Sequence, residues 1–284
     1  MNDALGDRMK RFEGIEADRR FLPMLPVCAR LDGKCFSSFT RGLERPFDKN
    51  LHGLMVDVTK YLVEETNANM GYTQSDEISI VWYSDKYESR IFFDGRIQKM
   101  NSVLASMCSV KFNKAMQEMW DNFFKAGAGM DILKQWDKRR FLIPVFDSRV
   151  WTVPNCDEAV NTFLWRENDC LKNSISQAAS HYYSHKELMG KNGSEKQEML
   201  HKKGVNFNDY PVWFKKGSYF QRRKVVRRFT VEEWDRLPPK HEARNNPNLR
   251  VERVEVIELD MPILSKVVNR VDVFFKGERP KVKE

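Results

Sequence analysis

Apolar and polar residues repeat with two different periods along the first half of the chain. An apolar run over residues 22–31 predicts a short strand that ends at Asp32. Over residues 47–69 the apolar positions recur every three or four residues, which predicts an amphipathic helix with Asp48 as its N-cap. Residues 77–83 alternate apolar with polar side chains, a pattern typical of a strand with one buried face.

The next segments extend this alternation of strands and helices. A second long helix is predicted over residues 96–124 and another strand over 142–153, with room for a further strand near 90–93. The resulting order is the βαββαβ plan of ferredoxin-like folds and polymerase palms. We therefore predict an α+β fold in which helices pack on a palm-like antiparallel sheet.

The second half of the chain is predicted to be helical and then basic. Helices are expected over residues 157–183 and 195–203, and late strands over 251–259 and 267–275. The densest basic run lies at residues 215–228. Four arginines of this run are candidate RNA contacts, and a solvated surface is the alternative. They are Arg222, Arg223, Arg227 and Arg228.

Composition narrows the class of protein. Lys and Arg number 48 against 40 Asp and Glu, and this net charge of +8 favours an anionic partner or a mildly basic surface. Five cysteines without CxxC spacing argue against a disulfide framework or a zinc knuckle. We expect a cytoplasmic protein with no membrane partner, because no signal peptide and no apolar run of membrane-spanning length is found.

Two acidic sites at predicted strand ends carry the candidate chemistry. Asp32 closes the first strand before Gly33, and Asp76 and Glu77 open a later one. Neighbouring strands lie about 5 Å apart, so these carboxylates can converge. Hard divalent cations prefer such oxygen ligands, and two metals can neutralise phosphate charge during transfer. Spacing alone favours the alternative that Asp32-Gly33 is a turn and Asp76-Glu77 a solvated strand start.

Six segments in register resemble motifs of the tRNA-histidine guanylyltransferase superfamily. They extend in order over about residues 10–220. The segments are RLDGK at residues 30–34, GYTQSDEIS at 71–79, FFDGRIQK at 92–99, FDSRV at 146–150, WRENDC at 165–170 and GVNFND at 204–209.

The resemblance implies roles for particular residues. It implies two Mg²⁺ ions at Asp32, at the Gly33 carbonyl and at Asp76, with Glu77 beside them as a further catalytic residue. Nucleoside triphosphate contacts are implied for five residues, which are Lys34, Arg45, Ser75, Lys196 and Asn206. Arg45 stands where the family has lysine; it keeps the positive charge, but its guanidinium has a planar fork that lysine lacks.

The resemblance also implies an activity. Members add nucleotides to the 5′ end of tRNA in the 3′-to-5′ direction, using ATP, GTP and other nucleoside triphosphates, and are commonly tetrameric. Leu171 stands where the histidine-tRNA enzymes have histidine, which resembles the guanylyltransferase-like proteins associated with repair of 5′-truncated tRNA. We expect a catalytic core at residues 1–140, its continuation with nucleotide- and tRNA-binding segments at 141–230, and an extension without assigned role at 231–284.

Other interpretations remain open from the sequence. A palm-type nucleotide cyclase would use the same acidic sites on free nucleotides, and a non-catalytic RNA-binding module would need neither Asp32 nor Asp76. His181 and His185 lie one helical turn apart but lack a third zinc ligand. We expect Trp165 to be a core residue rather than a platform for bases.

Overall fold

Six strands form one antiparallel sheet in the computed structural model, which describes residues 3–246 and 248–283. The strands follow the spatial order β4-β1-β3-β2-β5-β6. Every neighbouring pair is antiparallel. The strands are β1 (Val27–Gly33), β2 (Met70–Gln74), β3 (Glu77–Trp82), β4 (Phe146–Thr152), β5 (Ser218–Arg228) and β6 (Arg250–Leu259).

Helices cover both faces of this sheet. The α-helices are α1 (Ala4–Ala17), α2 (Phe36–Phe39), α3 (Lys49–Glu65), α4 (Ile97–Lys125), α5 (Met130–Arg140), α6 (Cys156–Tyr182), α7 (His185–Leu188), α8 (Gly193–Lys202), α9 (Val212–Lys216), α10 (Val231–Asp235) and α11 (Arg270–Lys276). Short 3₁₀ turns occupy Phe92–Gly95, Phe207–Asp209, Glu242–Asn245 and Leu264–Lys266. Within the described residues, no helix is both long and apolar enough to cross a membrane.

The first four strands and helices α3 and α4 follow the predicted order, but one strand was misplaced. The strand expected at residues 90–93 is wrong, because that segment leads into a 3₁₀ turn. Its place in the order belongs to β2, which begins one residue after the predicted helix of residues 47–69. A Cβ at Gly71 would lie 2.4 Å from Val63 Cγ2, so glycine lets β2 lie close against α3.

Two hydrophobic clusters sandwich the sheet. On one face Leu31 and Ile80 pack against α3 and α4. On the other, Tyr72 and Val81 pack against Phe163 of α6 and against the C-terminal segment. The expectation that residues 77–83 form a half-exposed strand is therefore wrong, since every residue of β3 is buried.

The C-terminal segment completes the second face. The predicted strand at 251–259 is confirmed as β6. The strand expected at 267–275 is wrong, because residues 270–276 form α11, whose Val273 and Phe274 are buried in the second cluster. Because β4, β5 and β6 all join the sheet of β1 to β3, residues before 140, between 141 and 230, and after 231 share one sheet.

Candidate active site

Asp32 and Asp76 meet where β1 ends and β2 turns into β3. Asp32 is the penultimate residue of β1 and pairs in register with Glu77 of β3. Ser75 and Asp76 form the turn between β2 and β3, and the Gly33 amide donates to the Asp76 carbonyl at 3.2 Å. The backbone thus ties the two predicted acidic sites to each other.

Electrostatics at this junction favour a cation. Burial raises the pKa of the Asp76 carboxyl; the hydrogen bond from Ser75 Oγ, at 3.0 Å, opposes this, and the charge of Asp32 adds to the rise. Among the described residues no cluster of three His, Cys, Asp or Glu side chains could hold a metal. Two carboxylates and a backbone carbonyl instead fit Mg²⁺, which takes few protein ligands and completes its shell with phosphates and water.

Gly33 is required by packing at this point. A Cβ at Gly33 would lie 2.2 Å from the ring of Phe36. That ring is held by Phe39, Phe112 and Phe146, at centroid distances of 5.0 to 5.5 Å. A side chain at position 33 therefore fits only if the ring of Phe36 moves.

Glu77 is bound by an arginine of α6. Arg166 Nε donates to Glu77 Oε1 and Arg166 Nη2 to Oε2, both at 2.6 Å. Arg30 Nε lies 3.9 Å from the same Oε2. Burial raises the pKa of Glu77, and the bonds from Arg166 oppose that rise. The bidentate pair links α6 to the strand that follows Asp76, so Glu77 positions this turn.

A pocket opens beside the turn, on the side of Ser75. Arg45 and Ser75, two of the residues implied as triphosphate contacts, line it together with residues of α3, α6 and α9. His52 stacks on Trp213 at its edge, with centroids 4.0 Å apart and planes at 8°. Burial lowers the pKa of His52 to about 4, so the ring is neutral at pH 7.

The other implied nucleotide contacts lie at different distances from this pocket. Lys196 lines an adjoining depression that shares Asn173 and Gln177 with the pocket, and its Nζ donates to Ser176 Oγ at 3.0 Å. Asn206 caps the turn at Phe207–Asp209, and its side-chain oxygen accepts from the amide of residue 208. Lys34 is exposed after Gly33. The structure therefore brings Arg45 and Ser75 together and leaves the other three outside the pocket.

Helix α6 supplies residues that the sequence analysis missed. Cys170, Asn173, Ser174 and Gln177 line the pocket, all from the stretch that follows the Trp-Arg motif. Their spacing of three and four residues along one helical face was a usable signal. The expectation that Trp165 lies in the core is wrong, because 55% of it is exposed.

The basic run at residues 215–228 forms α9 and β5. Three of its four predicted RNA contacts are engaged within the chain: Arg222 with Glu64 and Asn67, Arg223 with Gln221, and Arg227 with Glu233 and Glu255. Arg228 is exposed and makes no ion pair with the described residues. RNA contact by these arginines stays a prediction.

The family model and the similar curated proteins point to the same family. Residues 6–154 match the family described as tRNAHis guanylyltransferase. The tRNA(His) guanylyltransferase of Schizosaccharomyces pombe is 26% identical over 266 residues, which cover 89% of this chain and 91% of that protein.

Solved structures agree with that match. A bacterial tRNA(His) guanylyltransferase-like protein in complex with ATP is 32% identical, with a TM-score of 0.72 and coverage of 96% of this chain and 99% of that one. A bacterial guanylyltransferase-like protein in complex with GTP is 30% identical, with a TM-score of 0.67 and coverage of 93% and 95%. The predicted superfamily is confirmed: this chain belongs to the tRNAHis guanylyltransferase family of nucleotidyltransferases.

Proposed function

We propose that the protein adds nucleotides to the 5′ end of tRNA in the 3′-to-5′ direction. The observation that carries this proposal is the junction of Asp32 and Asp76 beside a pocket lined by Arg45 and Ser75. Relatives named as guanylyltransferases of tRNA(His), and a relative solved with ATP or GTP, support the substrates. The strand order β4-β1-β3-β2, with both acidic sites at the same end of the interior strands β1 and β3, supports a palm-like catalytic core.

Asp32, the Gly33 carbonyl and Asp76 would hold two Mg²⁺ ions. Bound there, the ions would neutralise phosphate charge and favour ionisation of the attacking hydroxyl. Burial raises the pKa of Asp76, and the charge of Asp32 adds to that rise. A cation bound between the two carboxylates would oppose both effects and favour the ionised form. Ser75 orients Asp76 through its hydroxyl, and the Glu77–Arg166 pair fixes the strand that follows.

The pocket beside Ser75 would take the nucleoside triphosphate. Arg45 supplies a fixed positive charge with a planar fork, which suits phosphate oxygens. Lys196 lies in the adjoining depression and extends the positive potential toward Asn173 and Gln177. The reaction then consists of two transfers. The RNA 5′ phosphate attacks the α-phosphate of ATP and releases pyrophosphate, which leaves the RNA capped with AMP. The 3′ hydroxyl of the incoming nucleotide then attacks the RNA 5′ phosphate and releases the AMP. Positioning and charge neutralisation are the main demands on the protein.

We further propose the repair branch of the family, in which the opposing base of the tRNA selects the nucleotide. Leu171, where the histidine-tRNA enzymes have histidine, offers no hydrogen bond and no charge. It is 39% exposed on α6, the helix that also lines the pocket. A homo-oligomer, tetrameric by resemblance, is part of the same proposal.

The adenylylation step provides the test. The protein is incubated with Mg²⁺, ATP labelled at its α-phosphate, and 5′-monophosphorylated tRNA without a second nucleotide. Label is expected on the RNA as a phosphatase-resistant 5′ cap. Cyclic nucleotide as the product would support a palm-type cyclase, and RNA binding without any product would support a binding module. Either result would contradict the proposal.

A further inference from the structure

Trp165 is an exposed aromatic side chain beside the catalytic junction. It is 55% exposed, although tryptophan offers a large apolar area whose burial is favourable. Two cations hold its ring: Arg166 Cζ lies 4.7 Å and Arg30 Cζ 5.9 Å from the ring centroid. An exposed indole fixed by two neighbours is ordered before any ligand arrives, which lowers the entropy lost on binding.

Both guanidinium groups link this indole to a carboxylate of β3. They converge on one atom, Glu77 Oε2, at 2.6 Å for Arg166 and 3.9 Å for Arg30. That carboxylate is buried. The two cations thus fix the ring from the side of the protein core while more than half of the Trp165 surface stays exposed.

The position of the ring relative to the carboxylates limits what can stack on it. Arg30 precedes Asp32 by two residues on the same face of β1, a distance of about 7 Å. Along α6, Trp165 precedes the pocket residue Asn173 by eight positions, or about 12 Å. Ser75 faces the pocket while Glu77 faces the Trp165 side, so Asp76 lies between the two.

We propose that the exposed ring of Trp165 stacks on the base of the 5′-terminal nucleotide of the RNA. The inference rests on the proposed function, which requires the terminal RNA phosphate at Asp32 and Asp76. With the triphosphate in the pocket beside Ser75, the RNA end would approach from the side of Glu77, where Trp165 offers an exposed aromatic ring. Stacking accepts every base, which suits an enzyme that extends RNA ends of differing sequence.

The test measures RNA affinity with two protein variants and two RNAs. Trp165→Ala should weaken binding of 5′-truncated tRNA by about 5- to 150-fold, and Trp165→Phe should restore most of it. Tyr87→Ala, which removes another exposed aromatic residue, is the matched control and should bind as the unmodified protein does. Dissociation constants for ATP and GTP should not change in any variant.

A tRNA whose 5′-terminal nucleotide lacks its base completes a double-mutant cycle. The unmodified protein should bind it more weakly, whereas Trp165→Ala should show no further loss, because the removed base and the removed ring are partners. Equal losses in both proteins, a weakened affinity for ATP alone, or failure of Trp165→Phe to restore binding would overturn the stacking. If the unmodified protein neither binds nor extends tRNA, the proposed function fails instead, so the two failures are distinguishable.

Discussion

At the scale of single residues, Asp76 links stability to activity. Burial raises its pKa above the ordinary 3.8, so the folded protein binds this proton more tightly than the unfolded chain does. Its contribution to stability therefore falls as the pH rises from 3.8 through the higher folded value. At pH 7 without divalent ions, the ionised carboxylate destabilises the fold.

Asp76→Asn is accordingly expected to melt at a higher temperature than the unmodified protein at pH 7 in chelator, and to lose more than about 100-fold in nucleotide addition. Mg²⁺ should raise the melting temperature of the unmodified protein but not that of the variant. Asp57→Asn, an exposed carboxylate of α3, is the control and should change neither property. A variant with lower stability and normal turnover would contradict the assignment of Asp76.

Gly33 and Gly53 form a matched pair of glycines. Gly33→Ala forces the ring of Phe36 to move and should lower the free energy of unfolding by about 1–3 kcal/mol. Gly53 lies inside α3 with no atom within 4 Å of an added Cβ, so Gly53→Ala should raise that free energy by about 0.5–1 kcal/mol. Urea titration of both variants measures the change in the free energy of unfolding, which should be negative for Gly33→Ala and positive for Gly53→Ala. The same change in both variants would refute the packing account of Gly33.

At the scale of elements, the Arg166–Glu77 pair joins α6 to β3. Arg166→Met leaves the buried Glu77 carboxylate with only Arg30, at 3.9 Å, and Glu77→Gln leaves Arg166 with only Asp169, at 3.2 Å. Each variant should therefore destabilise the protein, by less than the roughly 3–5 kcal/mol lost when a buried charge has no partner left. The double variant should lose much less than the sum, because neither charge remains without its partner. Additive losses in urea titration would show that the two side chains act independently.

Strand β5 carries the predicted RNA contacts, and its arginines differ in how far other side chains of the chain already neutralise their charge. Arg228→Gln should lower the slope of log affinity against log salt by about 0.7 to 0.9, because its charge is exposed. Arg227→Gln should change that slope less, since Glu233 and Glu255 already neutralise this guanidinium. If the salt dependence of RNA binding is the same in the unmodified protein and in both variants, the arginines of β5 belong to an ordinary solvated surface.

The sequence predicted those elements whose signal is local. The periodicity of α3 and its cap at Asp48, which accepts from two backbone amides, are present within one stretch of chain. The burial of both faces of β3 depends instead on α6 and on Phe274, which lie far along the chain. Likewise Asp32 and Asp76 were found from motifs at strand ends, whereas the partner of Glu77 is 89 residues away and has no local signature.

At the scale of the whole molecule, one sheet brings the proposed metal ligands beside the pocket. The carboxylates lie at the ends of β1 and β3, and the pocket is closed by α6 and α9 from the second half of the chain. The net charge of +8 suits a polyanionic substrate such as tRNA. The fold therefore supports a single catalytic unit rather than separable nucleotide- and RNA-binding domains.

The identity of the nucleotide added to a 5′-truncated tRNA tests this account most directly. A 5′-monophosphorylated tRNA lacking its first nucleotide is incubated with ATP and all four nucleoside triphosphates, and the new 5′ residue is identified while the opposing base is varied. The account predicts one added nucleotide at the 5′ end, complementary to each opposing base. Addition at the 3′ end, or no addition by a folded, tRNA-binding protein, would contradict it.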